Sequence, residues 1–182
     1  MAGDDSDTHQ AVRSGLVVRV PEAEPAVRVW RDRLDPAVRS GMPAHVTVLF
    51  PFLPERRIDS DTLAAVDAVI GRHKPFEARF EGFGRFPGIL YLAPEPAASF
   101  RALTEAIVDR WPETPPFGGE FAEIVPHLTI AQGQDDTDLD EAGADLRGRL
   151  PVVSRVGSVD LMAHDGSRWR QRASFALRGS GQ

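Results

Sequence analysis

Pro43-Ala44-His45-Val46-Thr47-Val48-Leu49-Phe50 is an apolar, β-branched run broken by one histidine. It is echoed in the second half of the chain by Pro126-His127-Leu128-Thr129-Ile130-Ala131. Such runs read as buried strands, here over about 45–53 and 124–132. Side chains two apart on a strand share a face, so His45 stands beside Thr47 and His127 beside Thr129, roughly 6–7 Å apart along each strand. One His-x-Thr triplet carries no weight in a chain with five histidines. Two of them, each in an apolar strand and each soon after a proline, form a pattern. The bland alternative is a pair of inward histidines satisfied by backbone carbonyls.

The sequence around the two runs repeats a rhythm. Leu16 to Val20 reads as a strand, and Trp30 and Leu34 continue a helical stripe over about 22–34 that ends at Asp35-Pro36. After the first motif, Asp59 or Ser60 can cap a helix whose stripe is Leu63, Val66 and Ile70, stopped by Gly71 to Pro75. Phe76, Ala78 and Phe80 alternate on a strand, and a turn at Pro87-Gly88 leads into a second strand, Ile89 to Leu92. Phe100, Leu103, Ile107 and Trp111 then form a helical stripe, and a Pro/Gly loop over 112–119 delivers the chain to the second motif. A polar helix over 138–148, a strand over 152–163, a turn at Asp165-Gly166 and a strand over 168–178 complete the reading. Strand, helix, loop and HxT strand thus occur twice, which predicts two related lobes with the motifs facing each other. Residues 1–13 read as a disordered tail and 14–182 as one bilobal domain.

Composition narrows the function classes. With 182 residues and 42% hydrophobic content the chain can bury a sizeable core. No apolar stretch approaches the roughly 18–20 residues that span a bilayer, and the acidic N-terminus is unlike a secretory leader. The absence of cysteine excludes disulfides, thiolate zinc sites and a cysteine nucleophile, and suits a cytoplasmic protein. A net charge of −6 argues against binding duplex DNA. The acidic run 135–141 lacks the glycine and final glutamate of a calcium loop. A zinc site on His45 and His127 has no third ligand at a suitable spacing. No metal and no cofactor are therefore expected, and the chain is expected to be a monomer. Locally the balance reverses, with seven arginines from Arg147 to Gln182 against only Asp160 and Asp165. On the last strand, Arg168, Arg170 and Arg172 are expected on one face, where they could meet phosphates. Trp169, Ala173, Phe175 and Leu177 are expected on the other face, in the core. Phe117, Phe121 and Tyr91 are candidates to stack on a base.

The paired motifs resemble the signature of the 2H phosphoesterase superfamily. The chain from about residue 15 is similar to its 2′-5′ RNA ligase / RNA 2′,3′-cyclic phosphodiesterase branch. The matching stretches are 43–54 (PAHVTVLFPFLP), 121–131 (FAEIVPHLTIA), Val29-Trp30-Arg31 and Ser167-Arg168-Trp169-Arg170. One position departs: Gln132 stands where members often carry arginine. The resemblance implies an α+β, bilobal, pseudo-symmetric fold, with two antiparallel sheets lining a central cleft and helices outside. It also implies metal-independent attack on 2′,3′-cyclic phosphates of RNA ends or small nucleotides, with reverse 2′-5′ ligation as a side reaction. His45, Thr47, His127 and Thr129 would be catalytic, and Phe121, Arg168 and Arg170 would touch substrate. In this scheme His127 activates water and His45 protonates the leaving oxygen, because histidines titrate near neutrality and one can be charged while the other is not. A bell-shaped pH profile with limbs near neutrality is the corresponding expectation. The competing class is a protein of the same fold that binds RNA ends or nucleotides without turning them over.

Overall fold

The computed structural model describes residues 13–179. The expected tail lies outside the described residues except for Arg13, which opens the first strand. Among the described residues the eight strands are β1 (Arg13–Arg19), β2 (His45–Leu49), β3 (Phe76–Phe86), β4 (Ile89–Glu95), β5 (Leu128–Gln132), β6 (Val152–Val156), β7 (Ser158–His164) and β8 (Trp169–Ala176). The helices are α1 (Glu24–Leu34), α2 (Pro36–Arg39), α3 (Ser60–Gly71), α4 (Ala97–Arg110) and α5 (Asp136–Leu146).

The strands form two four-stranded antiparallel sheets, ordered β2-β1-β7-β8 and β5-β4-β3-β6. The two orders correspond place for place. In each sheet the HxT strand is an edge strand, its neighbour is the strand that precedes it in sequence, and a helix (α1 or α4) makes the connection. The helices cross over in packing: α1 lies against β5, and α4 lies against β2. Each HxT strand is thereby backed by the helix of the other half, and a single apolar core runs through both. This is the expected α+β architecture of two antiparallel sheets with helices outside.

Local chemistry accounts for the helix limits. Asp59 accepts a hydrogen bond from the Thr62 amide at 2.8 Å, and Asp135 accepts one from the Asp138 amide at 3.0 Å, so both helices start on an aspartate cap. The acidic run serves α5 as a cap and a negatively charged first turn.

Three expectations about strands need correction. The motif strands are shorter than read, ending at Leu49 and starting at Leu128, because Pro51, Pro54 and Pro126 have no amide to donate to a ladder. The segment 152–163 is two strands in different sheets, divided at Gly157. Its inward residues are Val152, Ser154 and Val156 before the glycine and Val159 and Leu161 after it, so the alternation slips by one residue where the chain changes sheet. The last strand also slips: Leu161 pairs with Ala173 but Met162 pairs with Gln171, which leaves Arg172 as a bulge. Trp169 therefore faces away from Phe175. It packs with Val17, Met42 and Met162 in a small second apolar cluster.

Candidate active site

The two HxT strands share one irregularity. In β2, Thr47 pairs with Val17 and Leu49 with Leu16, which leaves Val48 without a partner. In β5, Thr129 pairs with Tyr91 and Ala131 with Leu90, which leaves Ile130 without one. Each strand thus carries a bulge at the residue after its threonine, which bends the strand and re-aims the side chains beyond it. The Val48 carbonyl accepts a hydrogen bond at 2.7 Å from Thr104 Oγ1 on α4. The helix of the second half therefore fixes the bulge of the first.

Both imidazoles are held in the same way. His45 Nδ1 lies 2.8 Å from the Pro43 carbonyl, and His127 Nδ1 lies 2.7 Å from the Val125 carbonyl. A carbonyl can only accept, so each Nδ1 carries the proton and each neutral ring presents Nε2 as a bare lone pair. Backbone carbonyls do satisfy both rings, as the bland alternative requires, but they occupy only one nitrogen of each. Burial pushes the His45 imidazole down to about 4. The Pro43 hydrogen bond opposes this, Arg31 and His127 add to it, and Asp35 works against it. Burial lowers His127 as well, against its own hydrogen bond to Val125.

The surroundings of the two histidines differ. His127 sits in an aromatic cradle, 5.3 Å from Phe86, 5.4 Å from Tyr91 and 6.5 Å from Phe117 between ring centres, with Phe117 stacked on it. Tyr91 owes its position to Gly84, its cross-strand partner: a Cβ there would come within 2.2 Å of the Tyr91 ring. Phe117 is held in the left-handed region at φ 50°, where its amide donates to the Phe50 carbonyl at 2.7 Å. Such a backbone is uncommon for a bulky residue. It ties the loop before the second motif to the first motif and lays the Phe117 ring against His127. Thr47, Phe117, Phe121 and His127 share the lining of a cavity of about 270 Å³ between this loop and α4.

This arrangement yields a prediction. Gly84→Val should displace the Tyr91 ring, the only tyrosine of the chain, and open the His127 cradle to water. Because burial is what lowers His127, its pKa should rise toward the ordinary 6.5. An NMR titration of the His127 ring checks this; an unmoved pKa would mean that the cradle contributes no desolvation. The overpacking should also cost about 1–3 kcal/mol of stability.

His45, Thr47 and Thr129 thus stand on the edge strands of the two halves with His127 immediately before β5, and Phe121, 65% exposed, stands at the cavity mouth against Phe117. Arg168 and Arg170 are not brought to the His45 face. The bulge at Arg172 turns Arg170 to the opposite side, where it pairs with Asp165 at 2.9 Å, and Arg168 is exposed on the turn before β8. Arg172 itself donates to the Ile58 carbonyl at 3.1 Å. The same slip brings Gln171 and Trp169 onto the His45 face. A residue that the sequence reading missed also stands there: Arg19 pairs directly across from His45. Its side chain bonds Asp160 on β7 and, at 2.6 Å, Gln171 Oε1 on β8. Alternation on the first strand would have put Arg19 on the side of Val17, but only the partner strand says what that side faces. Among the described residues no group of three His, Asp or Glu side chains that could hold a metal ion occurs, and no helix is long and apolar enough to cross a membrane.

The fold is that of the 2H phosphoesterases. The chain belongs to the 2′-5′ RNA ligase superfamily, which it matches over residues 20–168. Among solved structures it is similar to Escherichia coli LigT in complex with 3′-AMP, with 17% identity and a TM-score of 0.61, covering 91% of this chain and 98% of that one. It is also similar to TT0787 of Thermus thermophilus, with 19% identity and a TM-score of 0.62, covering 93% and 100%. Other LigT crystals hold NADP+, phosphate or ATP. At these identities the likeness is one of fold. No curated protein matches the chain in sequence.

Proposed function

We propose that this protein opens 2′,3′-cyclic phosphate ends of RNA or small nucleotides by a two-histidine mechanism, with His45, Thr47, His127 and Thr129 as catalytic residues. The observation that carries this reading is the matched pinning of the two imidazoles. Each has its Nδ1–H tied to the carbonyl two residues earlier, and each presents a free Nε2 at the edge strand of a different sheet, His45 opening β2 and His127 immediately before β5. One Nε2 takes the proton of water as its oxygen bonds to phosphorus; the other, protonated, gives its proton to the ribose oxygen as the P–O bond breaks. The product is a phosphomonoester beside a free hydroxyl, and the two rings have exchanged protonation states. The Thr47 and Thr129 hydroxyls donate to the nonbridging oxygens, where charge builds in the transition state. Phe121 and Phe117 offer an apolar platform for the terminal base. That LigT crystals contain nucleotides supports a nucleotide-bearing substrate. With a 5′-hydroxyl in place of water the same forward steps are a ligation: the hydroxyl gives its proton to the base as its oxygen bonds to phosphorus, and the displaced ribose oxygen takes the proton of the acid.

We infer the roles of the two histidines from their burial. Burial lowers both rings and takes His45 to about 4, which favours His45 as the ring that does not hold the proton. We therefore assign His127 as the acid and His45 as the base, the reverse of what the resemblance implies. The test of the reading as a whole is hydrolysis of an RNA oligomer with a 2′,3′-cyclic phosphate end in excess EDTA. Chelator-resistant turnover is expected. An oligomer that binds but is not opened would make this a binding protein.

A further inference from the structure

The first sheet carries a cation beside its histidine and the second does not. Arg19 on β1 pairs with His45 on β2. The corresponding position on β4, next after the Leu92–Leu128 pair, is Ala93, and Gly82, Gly84, Phe86 and Tyr91 around it are uncharged. The two halves of the cleft therefore differ in chemistry: apolar and aromatic around His127, cationic beyond His45.

Arg19 is also held ready. Its Nε donates to Asp160, whose side chain is only 4% exposed, and its Nη2 donates to Gln171. A buried carboxylate needs a partner. Asp160 has one oxygen on Arg19 and its other oxygen, Oδ1, buried with no partner among the described residues, so its only ionic partner there is this guanidinium. Two of the five guanidinium N–H groups are used, and the side chain remains 42% exposed. A guanidinium clamped on one edge and open on the other is preorganised for a second anion.

Where that anion would lie is set by the ladder. The guanidinium is anchored to side chains of β7 and β8, and β7 lies two strand spacings from β2, roughly 10 Å. It is thus displaced from the phosphorus that both Nε2 atoms must flank. We propose that Arg19 is a substrate-binding residue for the phosphate on the 5′ side of the terminal nucleotide, so that the protein acts on oligonucleotide ends in preference to cyclic mononucleotides. This rests on the reading of the site as a cyclic phosphodiesterase.

The experiment compares an RNA trimer ending in a 2′,3′-cyclic phosphate with the corresponding cyclic mononucleotide. Arg19→Gln should lower kcat/KM on the trimer at least about tenfold more than on the mononucleotide. It should also reduce the slope of log(kcat/KM) against log salt on the trimer by about 0.7, the loss of one phosphate contact to a single strand. Because Arg19→Gln leaves Asp160 buried and unpaired, Arg19→Gln/Asp160→Asn, in which two amides replace the ion pair, is assayed beside it. Equal losses on both substrates, or an unchanged salt slope in the folded double variant, would overturn the proposal. Binding of a trimer with a terminal 3′-phosphate is measured in parallel. If the wild type opens neither cyclic substrate but its trimer affinity still falls about tenfold in the variants, the cyclic phosphodiesterase reading fails and the phosphate contact stands. If affinity is unmoved, the contact fails on its own.

Discussion

His45→Ala and His127→Ala are each expected to lower kcat on a cyclic-phosphate RNA by about 10²–10⁴, which is about 3–5 kcal/mol of barrier, with no dependence on added EDTA. The two losses should not add. Base and acid act in one step, so the double variant should be scarcely slower than either single one. Circular dichroism separates this from unfolding, since each substitution leaves only one backbone carbonyl without its ring partner. A cyclic substrate with sulfur at the departing position distinguishes the roles, because a thiolate leaves without needing a proton. It should restore most of the activity of His127→Ala and none of that of His45→Ala. The opposite pattern would return the acid role to His45, and losses below tenfold in both single variants would sink the two-histidine mechanism.

Thr47 and Thr129 share the faces of His45 and His127 because a strand repeats every two residues, and the bulge after each of them begins only at Val48 and Ile130. That periodicity is why the four motif residues were legible in the sequence: His and Thr two apart in an apolar run fix their own common face. The helices were legible for a similar reason, since Trp30 and Leu34, or Phe100, Leu103 and Ile107, show a stripe that needs no knowledge of the partner.

The features that lay beyond the sequence depended on slips between elements. Gly157 changes the phase of inward residues from even to odd positions, a signal present in the string but easily taken for a polar interruption of one long strand. Arg172 gives no such signal: a bulge is decided by the pairing of β7 with β8, and it reverses the sides of Trp169 and the arginines before it. The pairing of Arg19 with His45 joins residues far apart in the chain, and the loop fold that stacks Phe117 on His127 depends on an amide bond to Phe50. Edge position, bulge and loop tie together decide which side chains share the cleft with the HxT pairs, and each is a property of two segments rather than one.

The kcat/KM profile should be bell-shaped with its optimum on the acid side of neutrality, rather than with limbs near neutrality as unperturbed histidines would give. Burial sets His45 at about 4 and places His127 below its ordinary value. Below pH 4 both rings are charged and no base remains. Between the two pKa values the site holds one proton and is competent. Above both values both rings are neutral and no acid remains, so the rate should fall tenfold per pH unit. The profile of kcat should lie at higher pH, because a bound phosphate anion favours the charged imidazole and kcat reports the complex. A kcat/KM optimum at or above pH 7 would mean that water reaches the rings in solution more than the burial allows. The same burial acts on the fold. A histidine held neutral when folded binds its proton more readily when unfolded, so stability is lost as pH falls from 6.5 to about 4, by about 3 kcal/mol from His45 alone. Melting curves at each pH therefore accompany the kinetics. An acid limb that appears where the protein is still folded belongs to the base; one that coincides with unfolding does not.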